Sequence, residues 1–256
     1  MAGRPYVLEE TTWSEVRVTG YRVAILPWGA MEAHNLHLPF GTDNLQARAV
    51  AVEAARIAWE QDLQTIVLPT IPIGVNAQNR GLPLTLNLYP STQKAILQDI
   101  LERLEDSGID RLVIINGHGG NDFKSIIREL EPKSSVFMST INWWTVISPD
   151  AYFDEPGDHA GEMETSVVQF LYPELVLPLE KAGPGREHPS KLTALRERWA
   201  WAPREWRKIS NDTGVGDPRA ATPEKGEAFF QDACQKIASY LVELADADLG
   251  GLYEHS

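Results

Sequence analysis

Two patterns of apolar residues alternate along this chain. Unbroken apolar runs of four to eight residues predict buried strands, and apolar residues recurring every three or four positions predict helices. The runs RVAILPWG (22–29), QTIVLPTIPIG (64–74), DRLVIINGHGG (110–120) and SSVFMSTINWW (134–144) read as four strands. Helical spacing marks 43–62, 91–108, 121–131, 160–172 and 223–248. The punctuation agrees: Ser91 is placed to cap a helix that Gly108 closes, Pro132 stops the next one, and Pro223 falls in the first turn of the last. Strands followed by helices predict an α/β fold, a three-layer α/β/α sandwich with a mainly parallel central sheet. The stretch 173–223 has no period and is rich in Pro, Gly, Arg and Trp. It reads as an irregular surface excursion, suited to an oligomer contact, within a single domain spanning 1–256.

Composition narrows the function. The 256 residues suffice for one substantial core. A net charge of −13 without a compensating basic cluster argues against nucleic acid as a partner. No apolar run approaches the roughly 20 residues of a membrane span, and the polar N-terminal stretch is unlike a signal peptide. The expectation is a cytoplasmic protein with no membrane partner. The single cysteine, Cys234, lies in an amphipathic stretch with no histidine near it in sequence, which suits a buried thiol.

In parallel α/β sheets, ligands gather at the carboxyl ends of strands, and three polar clusters fall there or nearby. GAMEAHNLHLPFGTD (29–43) follows the first strand, NGHGGND (116–122) the third, and GDHAGEMETS (157–166) leads into a helix after the fourth. In the first, Glu32 and His34 are two apart, so an extended backbone points them the same way, and Asp43 stands where a helix begins. Carboxylate and imidazole together suit Zn, Mn or Fe. Equally, Asp43 caps the helix and the histidines satisfy loop backbone. His37 fits an orienting role better than a ligand's. His118 sits among glycines, either approaching a ligand or held in a tight turn braced by Asn116 and Asn121. Asp158 beside His159 suits proton transfer, while Glu162 either joins a metal site or complements a helix dipole.

Together and in this order, these clusters resemble the creatininase (creatinine amidohydrolase) family. The family shows a G-x-x-E-x-H-x-x-H-L-P-x-x-x-D loop, an N-G-H turn and H-A-G-x-x-E-T-S. GVGDPRAATPEKGEAF (214–229) is similar to a further family segment. The resemblance implies a metal-dependent hydrolase with a binuclear centre of two divalent ions (Zn, Mn or Fe). In it, Asp43 bridges, Glu32 and His118 complete one site, and His34 serves the other. Creatininase has one further ligand, a glutamate two residues after the turn histidine; here that position is Gly120, and Glu162 is the expected replacement. Hydroxide held between the ions would attack a carbonyl of a small cyclic substrate, an amide or lactam or a cyclic ketone. His159 would shuttle the proton with Asp158 assisting. The alternative within the family is a carbon–carbon hydrolase acting on 3-dehydro-scyllo-inosose in inositol catabolism. The alternative from another class is a non-catalytic polyol- or sugar-binding protein. The stretch 74–93 departs from the family's substrate-contacting pattern, which argues against creatinine itself. Asn76, Gln78 and Asn79 are candidates for hydrogen bonding to substrate, and Trp143 and Trp144 for a pocket wall. The resemblance further implies a homo-oligomer, a hexamer.

Overall fold

A computed structural model describes residues 3–253; residues 1–2 and 254–256 lie outside the described residues. Among the described residues, four parallel strands form one sheet in the order β2–β1–β3–β4, with β1 Val23–Trp28, β2 Thr65–Val67, β3 Arg111–Asn116 and β4 Phe137–Asn142. The long helices are α1 Thr42–Trp59, α2 Pro90–Asp106, α3 Phe123–Leu130, α4 Glu162–Leu171 and α5 Pro223–Asp246.

Burial of the sheet on both faces explains the unbroken apolar runs. Successive side chains of a strand point to opposite faces. On β1 and β3, Val23, Ile25, Val113 and Ile115 join a core with α1, α4 and α5. Ala24, Leu26, Leu112 and Ile114 join a second core with Leu97 and Leu101 of α2 and Phe123 and Ile126 of α3. These two cores make the three layers of the α/β/α sandwich. Cys234 is buried in the first of them, as expected.

Two boundaries differ from the sequence reading. β2 stops at Val67: the Leu68 N–H still donates to the Ile25 carbonyl (2.8 Å), but Pro69 has no N–H with which to continue the ladder. α2 begins at Pro90 with Tyr89 as its N-cap, so Ser91 lies in the first turn and does not cap. Proline at the first helical position needs no amide donor and is pre-set for the helix. Gly108 ends the helix at φ 71°, where a side chain would be strained.

The strand order fixes where the site falls. From β1 the chain crosses to β2 on one side, and from β2 it crosses back to β3 on the other. The carboxyl ends of β1 and β3 therefore flank the crevice where the winding reverses, the usual ligand position in such sheets.

Candidate metal centre

The loop leaving β1 carries Glu32 and His34 into this crevice, α1 brings Asp43 on its first turn, and the turn after β3 brings His118. Gly117 lets these elements meet: a Cβ there would lie 2.5 Å from the Asp43 carbonyl oxygen. Asn116 holds the turn, its Oδ1 accepting from the His118 amide (3.1 Å) and from Asn121 Nδ2 (3.0 Å). All four expected ligands are buried and converge. Asp43 turns one carboxylate oxygen to each histidine, with Oδ1 2.9 Å from His34 Nε2 and Oδ2 3.0 Å from His118 Nδ1. His118 Nδ1 is also 2.9 Å from Glu32 Oε1.

Outer contacts set which ring nitrogen faces inward. His118 donates Nε2–H to the Val75 carbonyl (3.0 Å), and His34 donates Nδ1–H to the Glu32 carbonyl (3.1 Å). His118 Nδ1 and His34 Nε2 are thereby left to the cluster, the arrangement in which an imidazole binds a metal. Asn79 Nδ2 donates to Glu32 Oε2 at 2.6 Å and holds the other oxygen toward His118.

Two groups of three donors have atoms within 4.8 Å of one another and share Asp43: Glu32–Asp43–His118 and His34–Asp43–Glu164. A third, Glu32–His34–His159, adds the histidine of the HAG segment. His159 donates Nε2–H to the Ala33 carbonyl (2.8 Å) and presents Nδ1 3.9 Å from Glu32 Oε1. Its ring lies 4.2 Å from that of His34 and edge-on to Trp206 at 5.0 Å.

The electrostatics fit a cation. Burial works against charge on His34, but the charge and hydrogen bond of Asp43 lift it to about 10. His118 is likewise held well above its ordinary value against burial, by Glu32 and Asp43. Burial opposes ionisation of Asp43 and Glu32, yet the histidines pull both below the ordinary carboxylate range. Burial raises Glu164, with His34 and His159 opposing. Protons on two histidines thus supply positive charge that these buried carboxylates need, and divalent ions displacing those protons would supply positive charge in their place. Asp43 Oδ2 is buried without a hydrogen-bond donor of good geometry, as expected of an oxygen shaped for a metal.

The remaining expected residues divide. Glu162 is not in the cluster: its carboxylate accepts from Lys225 Nζ (2.5 Å) and the Glu155 amide (2.7 Å), because α4 turns that side toward α5. Asp158 pairs with Arg204 at 2.5 Å and makes no hydrogen bond to the His159 ring among the described residues. Asn76 is consumed inside its own loop, donating to the Leu86 carbonyl and accepting from Asn79. Trp143 is core, packed edge-on against Phe229, whereas Trp144 and Gln78 line the site cavity. His37 bonds Thr165 Oγ1 at 2.9 Å and stays outside the donor groups, as the orienting reading expects.

Two features escaped the sequence reading. Glu164 is not among the ligands expected from the sequence, and the stretch 173–223 was expected only as a surface excursion. Most of that stretch is exposed, but residues 201–204 and Trp206 within it also wall a cavity of about 830 Å³ over the centre. Trp206 is buried, donates its indole N–H to the Thr213 carbonyl (3.0 Å), and carries the Arg204 guanidinium 4.6 Å from its ring centre. The only advance signal was the density of Trp and Arg in an aperiodic stretch.

Comparison with known proteins identifies the family and the fold. The family model described as creatininase, creatinine amidohydrolase, matches residues 9–241. A creatinine amidohydrolase from Pseudomonas putida is 26% identical, covering 91% of this chain and 95% of that protein. A mycofactocin precursor peptide peptidase from Mycolicibacterium smegmatis is 28% identical over 82% of this chain and 80% of its own. Among solved structures, a candidate creatinine amidohydrolase from Bacteroides fragilis superposes with a TM-score of 0.91 at 42% identity, covering 98% of this chain and 99% of that one. A point-mutant creatininase of the Zn-Zn type superposes with a TM-score of 0.76 at 25% identity, over 95% and 100% of the two chains.

Proposed function

The chain belongs to the creatininase family, and on that premise we propose that it is a metal-dependent hydrolase cleaving an amide-type bond of a small substrate at a centre of two divalent ions. The observation that carries the reading is Asp43, whose two carboxylate oxygens each face a different histidine. Glu32, Asp43 and His118 would hold one ion, and His34 and Asp43 belong to the second. The donor set, carboxylate and imidazole without thiolate, suits Zn, Mn or Fe. Such ions, when bound, polarise a carbonyl and make water a nucleophile near neutral pH.

The chain's own residues supply the rest. His159 Nδ1 faces Glu32 and the cavity, so it is the group placed to carry a proton to a leaving nitrogen. Asn79 fixes the rotamer of Glu32. Trp144, Trp201 and Trp206 give the cavity aromatic walls, and Gln78 and Arg204 give it polar ones. A volume of about 830 Å³ accepts a ring bearing a substituent more readily than a bare small ring. Peptide maturation and creatinine hydrolysis among the relatives both break a carbonyl–nitrogen bond, which supports an amide-type reaction. The absence of a ligand at Gly120 would favour a non-catalytic binding protein, but the donors gathered around Asp43 speak against it.

The test is elemental analysis of protein purified without chelator, combined with a panel of lactams, formamides and short peptides. Two ions per chain and metal-dependent turnover are expected. Full activity in metal-free protein would overturn the proposal.

A further inference from the structure

Asp43 and His34 provide two donors for the second ion, and an ion held by protein needs more. Gly120, beside His118, cannot provide a third. A Cβ there would collide with the Val75 carbonyl oxygen and with His118 Nε2, and those two atoms are joined by the hydrogen bond that orients the His118 ring. Any side chain at that position would break the hydrogen bond. Glu162 cannot provide it either, since Lys225 and the Glu155 amide take its carboxylate.

Glu164 remains, two residues along α4. It lines the cavity, and one of its oxygens lies within 4.8 Å of donors from both His34 and Asp43. Its Oε2 accepts the amide N–H of Ala160. Ala160 has φ 49°, a strained value for a residue with a Cβ, and this loop conformation points its N–H at Glu164. One carboxylate oxygen is thus anchored, leaving the other for an ion. The Asp43 carboxylate is shared between the two positions: Oδ1 lies 2.9 Å from His34 Nε2, and Oδ2, toward His118, is buried without a good donor, which marks the carboxylate as built for cations.

We infer that Glu164 is the carboxylate ligand that completes the second metal position with His34 and Asp43. The inference rests on the two-ion reading and adds to it. The family's fold is then kept with the second ion's acid drawn from α4 in place of the turn after β3. Because the acid comes from a helix that also carries the cavity wall around Met163, the second ion ties α4 to the strand ends.

The experiment titrates Mn(II) into metal-stripped full-length protein and counts bound ions by elemental analysis after dialysis. Electron paramagnetic resonance reports whether the ions are coupled. Wild type should bind two coupled ions. Glu164→Gln keeps the shape and an acceptor for Ala160, and should retain one ion with an uncoupled signal. The second ion should weaken by more than about 100-fold, beyond the 10–100-fold that loss of an outer hydrogen-bonding partner costs. Glu164→Ala should do the same, with circular dichroism verifying the fold, and Glu162→Gln should keep two ions. Two tightly held, coupled ions in both Glu164 variants would overturn the assignment and leave the two-ion reading intact. A single ion in wild type would overturn both.

Discussion

His118 Nδ1 lies 3.0 Å from Asp43 Oδ2 while its opposite nitrogen donates to the Val75 carbonyl. The first of these residues lies on the turn that follows β3 and the second in the first turn of α1, so the sheet's reversal of winding brings the two together. Removing the Asp43 carboxylate should therefore release both ions. Asp43→Ala is expected to lose bound metal and activity together, whereas His37→Ala keeps both ions and loses at most about 10–100-fold in activity. Metal content and turnover of the two variants check the ranking; equal losses would contradict it.

Stripping the metals should destabilise the protein. A ligand bound only by the folded state adds about 2.7 kcal/mol when present at 100 times its Kd. Chelated protein is expected to melt at lower temperature and to recover with added Mn(II) or Zn(II). Thermal denaturation with and without chelator measures it, and an unchanged Tm would count against a resident metal.

His159→Ala should keep both ions and lower kcat by about 10²–10⁴-fold, the usual worth of a positioned acid or base. Substrates with better leaving groups should suffer less. Loss of an ion in this variant would make His159 a ligand, since it also lies among donors with Glu32 and His34.

Arg204 spans Asp158 and the Trp206 face at the cavity wall. Arg204→Ala should leave the metals bound and stability within about 1 kcal/mol, because exposed ion pairs contribute little. Its effect should appear as a raised KM with kcat nearly unchanged, the signature of a group that binds ground and transition state alike. A fall in kcat alone would assign the wall to catalysis instead.

His37 gives a pH dependence to stability. Burial, then the positive charge of His34, pushes its imidazole down to about 4. Between about 4 and the ordinary value near 6.5, the unfolded chain binds a proton that the folded chain does not. The contribution is thus complete above about pH 6.5 and lost as pH falls toward 4. Denaturation midpoints at pH 7 and pH 5 should differ more for wild type than for His37→Gln; identical differences would show that His37 stays solvated.

Much of this protein is written in its sequence. Each strand of a doubly covered sheet must be apolar on both faces, so VAILPW and RLVIIN announce themselves without knowledge of their partners. Because sites form where such strands end, Glu32, His34, Asp43 and His118 stood out as candidates, but position and residue type left a helix cap and loop histidines equally open, and the family resemblance alone singled them out as a ligand set. What the sequence left open was rotation. Glu162 and Glu164 sit two apart on one helix, roughly 200° from each other around its axis at 3.6 residues per turn. Which of them faces the metals is decided by how α4 packs on α5, where Gly226 lies against the Ser166 backbone and Lys225 claims Glu162. Trp143 and Trp144 divide in the same way, one into the core and one into the cavity, where a turn follows β4. The wall formed by Trp206 and Arg204 has no period at all; besides a bond to the Thr213 carbonyl nearby in sequence, it is held by contacts from distant parts of the chain, the Trp206 amide to the Gln78 carbonyl and Arg204 to Asp158, that exist only once the chain has folded over the strand ends.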